Sequence, residues 1–581
     1  MKPTVRPRTA ILAALLAAGL GVPAIFGLSA LEARQQLASS PPRDGVRDTN
    51  TGNFLAGRHA EGQSDLSIAA DFMAEALRAD PGNMELQRRT MLLLLSAGRA
   101  SDALPYARRV REAEPGAYIA SLLLVADAAR ANDMSGARRE LARTPRENLS
   151  GVVAPILDAW VAFAQKGADE ALAELRGTGE ASPMRAMERF HAGLMADLAG
   201  RAALARAEYE TSIRAAPRAH FRFVEALASL DQRERGPEAA RAALAQFPLE
   251  SPESPLVQAI TERLGEDKPY DRLVRSPAEG IAETFFGVGA SLFRQGEHGM
   301  ALVFARLALH ARPQFPVGQF LVAELLESMK RPEEALTVYR AVDESSPFHW
   351  EARLRAAAGL SELKRRDEAI EKLKAMSAER ATRPDALFRL GNVLREAERF
   401  NEAVEAYDGA IARLGPQGPA HWSLYYARGM ALERAKRFDA AAVDLEHALK
   451  LRPEHPYVLN YLGYMWVDQG VHLDRARDML RRAVELRPDD GYIVDSWGWF
   501  FYRAGDFERA VQHLERAVQL KPADPVINDH LGDAYWRVGR KNEARFQWRR
   551  ALTFEAPSDL APAIQRKLEH GLEAATKGGR G

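Results

Sequence analysis

The 581-residue chain contains no cysteine. That excludes disulfides, thiolate zinc sites, iron–sulfur clusters, cysteine nucleophiles and a lipid-modified N-terminal cysteine. Charge of either sign in excess is also missing, because Lys+Arg and Asp+Glu number 79 each. With no overall positive field, no nucleic-acid partner is expected. Several chemistries are absent as motifs. There is no glycine-rich loop with lysine to cradle a phosphate, no His-Glu-x-x-His among the 13 histidines, and no Gly-x-Ser-x-Gly elbow. Ser361-Glu-Leu-Lys364 spells Ser-x-x-Lys, but it lies inside a helical repeat and lacks the companion motifs of that enzyme class. Asp489 and Asp490 fall in a turn, where they are solvated or capping. The expectation is a non-enzyme with no catalytic residues, no metal and no cofactor.

What is present favours helix. Ala, Leu, Glu and Arg dominate, hydrophobic residues make up 46% and charged residues 27%. That composition fits neither a disordered chain nor a polytopic membrane protein, and the length exceeds one compact core. At the N-terminus, Lys2, Arg6 and Arg8 precede a 22-residue apolar run from Ala10 to Leu31. This has the layout of an export signal and the length of an uncleaved membrane anchor, with the rest of the chain outside the cytoplasm. Residues 1–33 therefore read as signal peptide or N-terminal anchor, and 34–53, rich in Pro and Gly, as a flexible linker.

The remainder repeats. An alanine recurs at 69, 103, 137, 171, 205 and 239, each 34 residues apart. A second ladder runs through Ala301, Ala335, Ala369, Ala403, Ala441, Ala476, Ala510 and Ala544 with spacings of 34, 34, 34, 38, 35, 34 and 34. Proline often follows 12 residues later, as at Pro313, Pro347, Pro453, Pro488 and Pro522. Glycine often precedes by 12, as at Gly57, Gly289, Gly391, Gly429, Gly498 and Gly532. Glycine and alanine let antiparallel helices approach closely, and proline marks the next start. The ladders fall out of step between 239 and 301, across Pro248, Pro252, Pro255, Pro269 and Pro277. The expectation is a block of six repeats over 54–250, a Pro-rich interruption at 251–280 and a block of eight over 281–557. A capping helix and tail at 558–581 would close the stack. Weak coupling across the interruption follows, with proteases cutting there first.

The pattern of glycine, alanines and terminal proline resembles the tetratricopeptide repeat family, most clearly over Tyr492–Pro522 and Val526–Pro557. The resemblance implies an all-α solenoid of tandem helix-turn-helix units, a right-handed superhelix in two blocks. It also implies protein or peptide partners, bound in a concave groove lined by the first helix of each pair. Relative to the in-phase glycine, residues at −3, +1 and +4 share one helical face. The groove candidates are Tyr426, Asn460, Tyr464, Asp495, Trp499, Tyr502, Asp529, Asp533 and Trp536, with Arg503 and Arg537 following at +5. Trp466, Trp497 and Trp548 fall on phases that the family buries. For Trp499, Trp536 and Tyr464, groove and inter-repeat packing are equal readings.

"NYLGY" at 460–464 and "DSWGW" at 495–499 are similar to C-terminal repeats of bacterial envelope adaptors that deliver clients to a carboxy-terminal-processing protease. That resemblance implies an exported scaffold or adaptor in the periplasm, soluble or held by its N-terminal anchor. A regulatory or assembly subunit of an envelope polysaccharide synthesis or export machine is the alternative.

Overall fold

A computed structural model of the chain describes residues 49–63, 65–176, 184–215, 220–247, 249, 254–264, 270–416, 418–554 and 560–572. The export segment expected at 1–33 lies outside the described residues. The described residues form thirty α-helices and no strand. Six hairpins run from Asn50–Gly62 to Pro237–Gln246. Helix Pro255–Leu264 stands alone, eight hairpins follow from Pro277–Arg294 to Lys541–Ala551, and Leu560–His570 ends the stack.

Each hairpin follows from its repeat residues. The ladder alanines of the second series are buried between paired helices. The in-phase glycine sits opposite a large side chain on the partner helix. A Cβ on Gly532 would come within 2.4 Å of Trp548, and one on Gly498 within 2.8 Å of Leu514. Many of the hairpin turns carry a residue of positive φ, which also recurs in step: Gly98, Asn132 and Gly200, then Gly296, Lys330, Lys364, Glu398 and Lys436. Prolines open helices at Pro277, Pro316, Pro332, Pro456 and Pro525, where the absent N–H has no intrahelical partner to lose. Ser276 caps its helix as its position implies, accepting from the Glu279 N–H at 3.2 Å.

Two local expectations are corrected. The linker does not extend to Asn53. Thr49 accepts from the Gly52 N–H at 3.0 Å and starts helix Asn50–Gly62, so a good cap outweighs the glycine. In the sixth hairpin Ala240, not Ala239, takes the buried alanine position, a slip of one residue.

Neighbouring first helices touch, as Pro456–Gln469 does Gly491–Ala504, while neighbouring second helices stay farther apart. The stack therefore curves with the first helices inside. Weak coupling between the two blocks is also corrected. Hairpin Pro277–Arg294/His298–Ala311 packs into the inner face of the first block, against helices Met84–Ser96, Tyr118–Arg130 and Asn148–Lys166. Gly280 backs onto the Trp160 indole so closely that a Cβ there would lie 2.2 Å from the ring. Arg306 Nε donates to the Ser96 carbonyl at 3.3 Å, and His310 Nε2 lies 3.1 Å from Asp127. Buried Arg222 donates to Glu283 at 2.9 and 2.8 Å and to Glu225 at 2.7 Å, joining helices on either side of the interruption. The described residues of the interruption are tied down. The Tyr270 hydroxyl donates to Glu225 at 2.6 Å, and Gln232 donates to the Leu264 carbonyl at 3.0 Å. One hydrophobic core consequently runs from Ala60 to Leu480 through both blocks.

Candidate functional site

The inner face of the second block is the candidate site, and two of the chain's own helices occupy parts of it. Helix Pro255–Leu264 turns Val257, Ile260 and Leu264 into the core and presents Gln258, Ala259 and Glu262 to the inner face. There it faces Trp350, Leu354 and Phe388, with Arg383 paired to Glu262. A cavity of about 250 Å³ remains where its N-terminal end meets Phe286, Phe293 and Phe320. At the far end, helix Leu560–His570 lies over the last repeat. Lys567 Nζ donates to both oxygens of Asp529 at 2.9 and 2.8 Å and to Asp533 Oδ2 at 2.8 Å.

This divides the candidate residues. Asp529, Asp533 and Trp536 share one face, as expected from their spacing, but they lie under the terminal helix. The two carboxylates are 5% exposed and Trp536 is 7% exposed. Trp536 packs on Trp548 with ring centroids 5.4 Å apart, and Gly571 closes over its edge. Burial and the neighbouring Asp529 push the Asp533 carboxyl up, and Lys567 opposes the shift. An open peptide-gripping role for these three is therefore corrected: their contacts are already made within the chain. Arg537 points out, its guanidinium 4.6 Å from the Phe507 ring centroid.

One repeat earlier, Asp495 is buried and faces His530 Nδ1 at 2.9 and 3.1 Å. Burial works against charge on His530, but Asp495 together with Asp529 and Asp533 outweighs it and raises the imidazole. Trp499 stacks on His530 at 4.0 Å and on Tyr502 at 4.5 Å. Of the two equal readings for Trp499, packing between repeats is the one seen. Arg503 reaches back to Asp468 at 3.1 Å. Trp466 and Trp548 are buried on the phases expected for core, whereas Trp497 is only half-buried.

Between the two covering helices a stretch of inner face stays open. Tyr426, Met430, Asn460 and Tyr464 line it, all half-buried. Burial pushes the Tyr426 and Tyr464 phenols up, so both are neutral hydrogen-bonding groups. Tyr461 packs edge-on to Tyr426 and donates to Glu433 at 3.0 Å. Three buried polar atoms along this face have no protein partner: Nε of Arg395, Oδ1 of Asn460 and Nε1 of Trp499. Such atoms are a cost of roughly 1–3 kcal/mol each until something pairs with them. An extended backbone laid along the face carries alternating N–H and C=O groups able to do so.

Sequence reasoning missed His530, Lys567, Arg395 and the covering role of 255–264. His530 had a signal, since it lies between two in-phase aspartates. Lys567 lies one period of 34 residues after Asp533, but beyond the last ladder alanine, Ala544, so the repeat residues did not single it out. Among the described residues no group of three or more His, Asp or Glu could hold a metal ion. No helix among them is long and apolar enough to cross a membrane.

Residues 354–419, 388–456 and 426–491 match a family model described as tetratricopeptide repeat, and residues 500–539 match a second, described as TPR repeat. No curated protein matches the chain. Among solved structures it is similar to the APC/C hetero-tetramer Cut9–Hcn1, with TM-score 0.39 and 14% identity over 93% of this chain and 99% of the other. It is similar also to a tetratricopeptide repeat protein of Parabacteroides merdae, with TM-score 0.34 and 12% identity over 50% of this chain and 97% of that one. A third is YrrB, a TPR protein with an unusual peptide-binding site, with TM-score 0.23 and 18% identity over 38% and 95% of the two chains.

Proposed function

We propose that this chain, built of tetratricopeptide repeats over residues 354–491 and 500–539, holds an extended segment of a partner protein across the inner face between its two covering helices. The observation that carries this is the row of unpaired buried atoms on Arg395, Asn460 and Trp499, beside the half-buried Tyr426, Met430 and Tyr464. Rings and the methionine supply apolar area, and the polar atoms bond the segment's backbone. A photo-crosslinking residue placed at Met430 or Tyr464 is expected to capture the same partner in cells. One placed at Val443, 66% exposed on a second helix, is expected to capture none of it. Capture from Val443 and not from the inner face would overturn the reading.

Two finer readings rest on the sequence. The basic residues followed by an apolar run over 10–31 support export, which places the scaffold in the cell envelope. The "NYLGY" and "DSWGW" repeats support an adaptor that presents clients to a second protein such as a protease. A reporter that works only outside the cytoplasm, fused after Gly581, is expected to be active. Activity of a cytoplasm-only reporter at the same place would sink the export reading.

A further inference from the structure

The Asp529/Asp533 pair has a particular chemical demand. Two carboxylates one turn apart on helix Pro525–Arg537 are both buried, and Asp495 lies in the preceding repeat. His530 Nδ1 lies 2.9 Å from Asp495 Oδ2, and Trp548 Nε1 donates to Asp533 Oδ1 at 2.9 Å. That leaves three carboxylate oxygens, both of Asp529 and Oδ2 of Asp533, and Lys567 Nζ reaches all three. An ammonium has three donors on one atom, so the match is complete. A guanidinium spreads its donors over a planar fork suited to one carboxylate at a time. Without a cation, two like charges would remain together in a buried site.

The helix that brings this lysine is held by a small apolar set besides the ion pairs. It is 11 residues long, Ile564 within it and Leu572 just beyond are buried, and Leu560 and Leu568 pack against the same cluster. A helix this short is marginal without tertiary contacts. Its contribution to the groove is one ammonium plus a small apolar patch near Trp536.

We propose that helix Leu560–His570 is a displaceable occupant of the last repeat. The partner that displaces it inserts a lysine between Asp529 and Asp533 and sets an apolar residue against Trp536. This rests on the scaffold reading and names one end of the bound segment: it carries a lysine where it meets the last repeat. The helix holds the groove shut in its absence, and the apparent affinity falls by the fraction of molecules that are open.

The test uses the full-length chain and a fluorescein-labelled peptide with the sequence of residues 560–572, read by fluorescence anisotropy. The Lys567→Ala chain, whose own helix has lost its anchor, is expected to bind the peptide about tenfold or more tightly than the unaltered chain. A peptide carrying Lys567→Arg is expected to bind that variant at least about fivefold more weakly, and adding Asp529→Asn with Asp533→Asn to abolish binding. Equal binding to both chains, or equal binding of the lysine and arginine peptides, overturns the proposal. Lys567→Ala could also unfold the last repeat, so hydrogen exchange on the unaltered chain is the second measurement. Amides of 560–570 are expected to open about a hundredfold more often than those of 525–537, and equal protection overturns the proposal. Crosslinking at Met430 is independent of both measurements. A captured partner with a failed peptide test leaves the scaffold standing and removes only the displaceable helix.

Discussion

The tryptophans show how far helical phase alone decides a side chain's surroundings. Trp466 and Trp548 are buried as their phase implies, because contacts within a hairpin repeat every 34 residues. Trp536, at +4 from its glycine, lies on the same helical face as Trp499, at +1 from its own, yet it is buried between Trp548 and the terminal helix, while Trp499 is half-buried on His530 and Tyr502. What covers Trp536 is helix Leu560–His570, which follows the last first helix at about one period but beyond the last ladder alanine. Trp536→Ala is therefore expected to destabilise by about 3–5 kcal/mol, in the range for a buried aromatic removed. Half-buried Trp499, changed the same way, is expected to cost less. Chemical denaturation of the two variants decides it. If Trp536→Ala unfolds like the unaltered chain, the terminal helix does not cover it in solution.

At the scale of elements, the hairpins were legible because each one is specified locally: glycine opposite a large side chain, buried alanine, a left-handed turn residue and proline at the next start. Where hairpins go was less legible. Helix Pro277–Arg294 buries Ile281, Phe285, Phe286, Val288 and Leu292, so it is apolar nearly all round. A helix of that kind needs neighbours on every side. Its partner His298–Ala311, with Leu302, Phe304 and Leu307 buried, is similar. That signal in the sequence points to a hairpin enclosed by other helices, and the structure encloses it within the first block. The described residues of the interruption are held in place, since Tyr270 and the Leu264 carbonyl are hydrogen-bonded to helix Phe221–Arg235. The open inner face was legible at Tyr426, Asn460 and Tyr464, where successive first helices present it in register. It was not legible where the chain's own helices cover it.

The whole molecule is coupled across the interruption, since hairpin 277–311 fills the inner face of the first block. A fragment of residues 49–264 lacks this filling, whereas 49–311 contains it. The shorter fragment is expected to aggregate or to unfold without a sharp transition, and the longer one to be monomeric and cooperative. Light scattering and thermal melting of the pair check this. A monomeric 49–264 as stable as 49–311 would show that the first block stands without its filling. The same feature sets an order in time. The residues that line the first inner face, 84–166, leave the ribosome well over a hundred residues before 311 does. At typical synthesis rates the delay is on the order of ten seconds, long compared with the formation of helical hairpins. During that interval the first block is a half-made vessel with an apolar lining. A chaperone acting then meets a surface that the finished molecule has already covered with its own later residues.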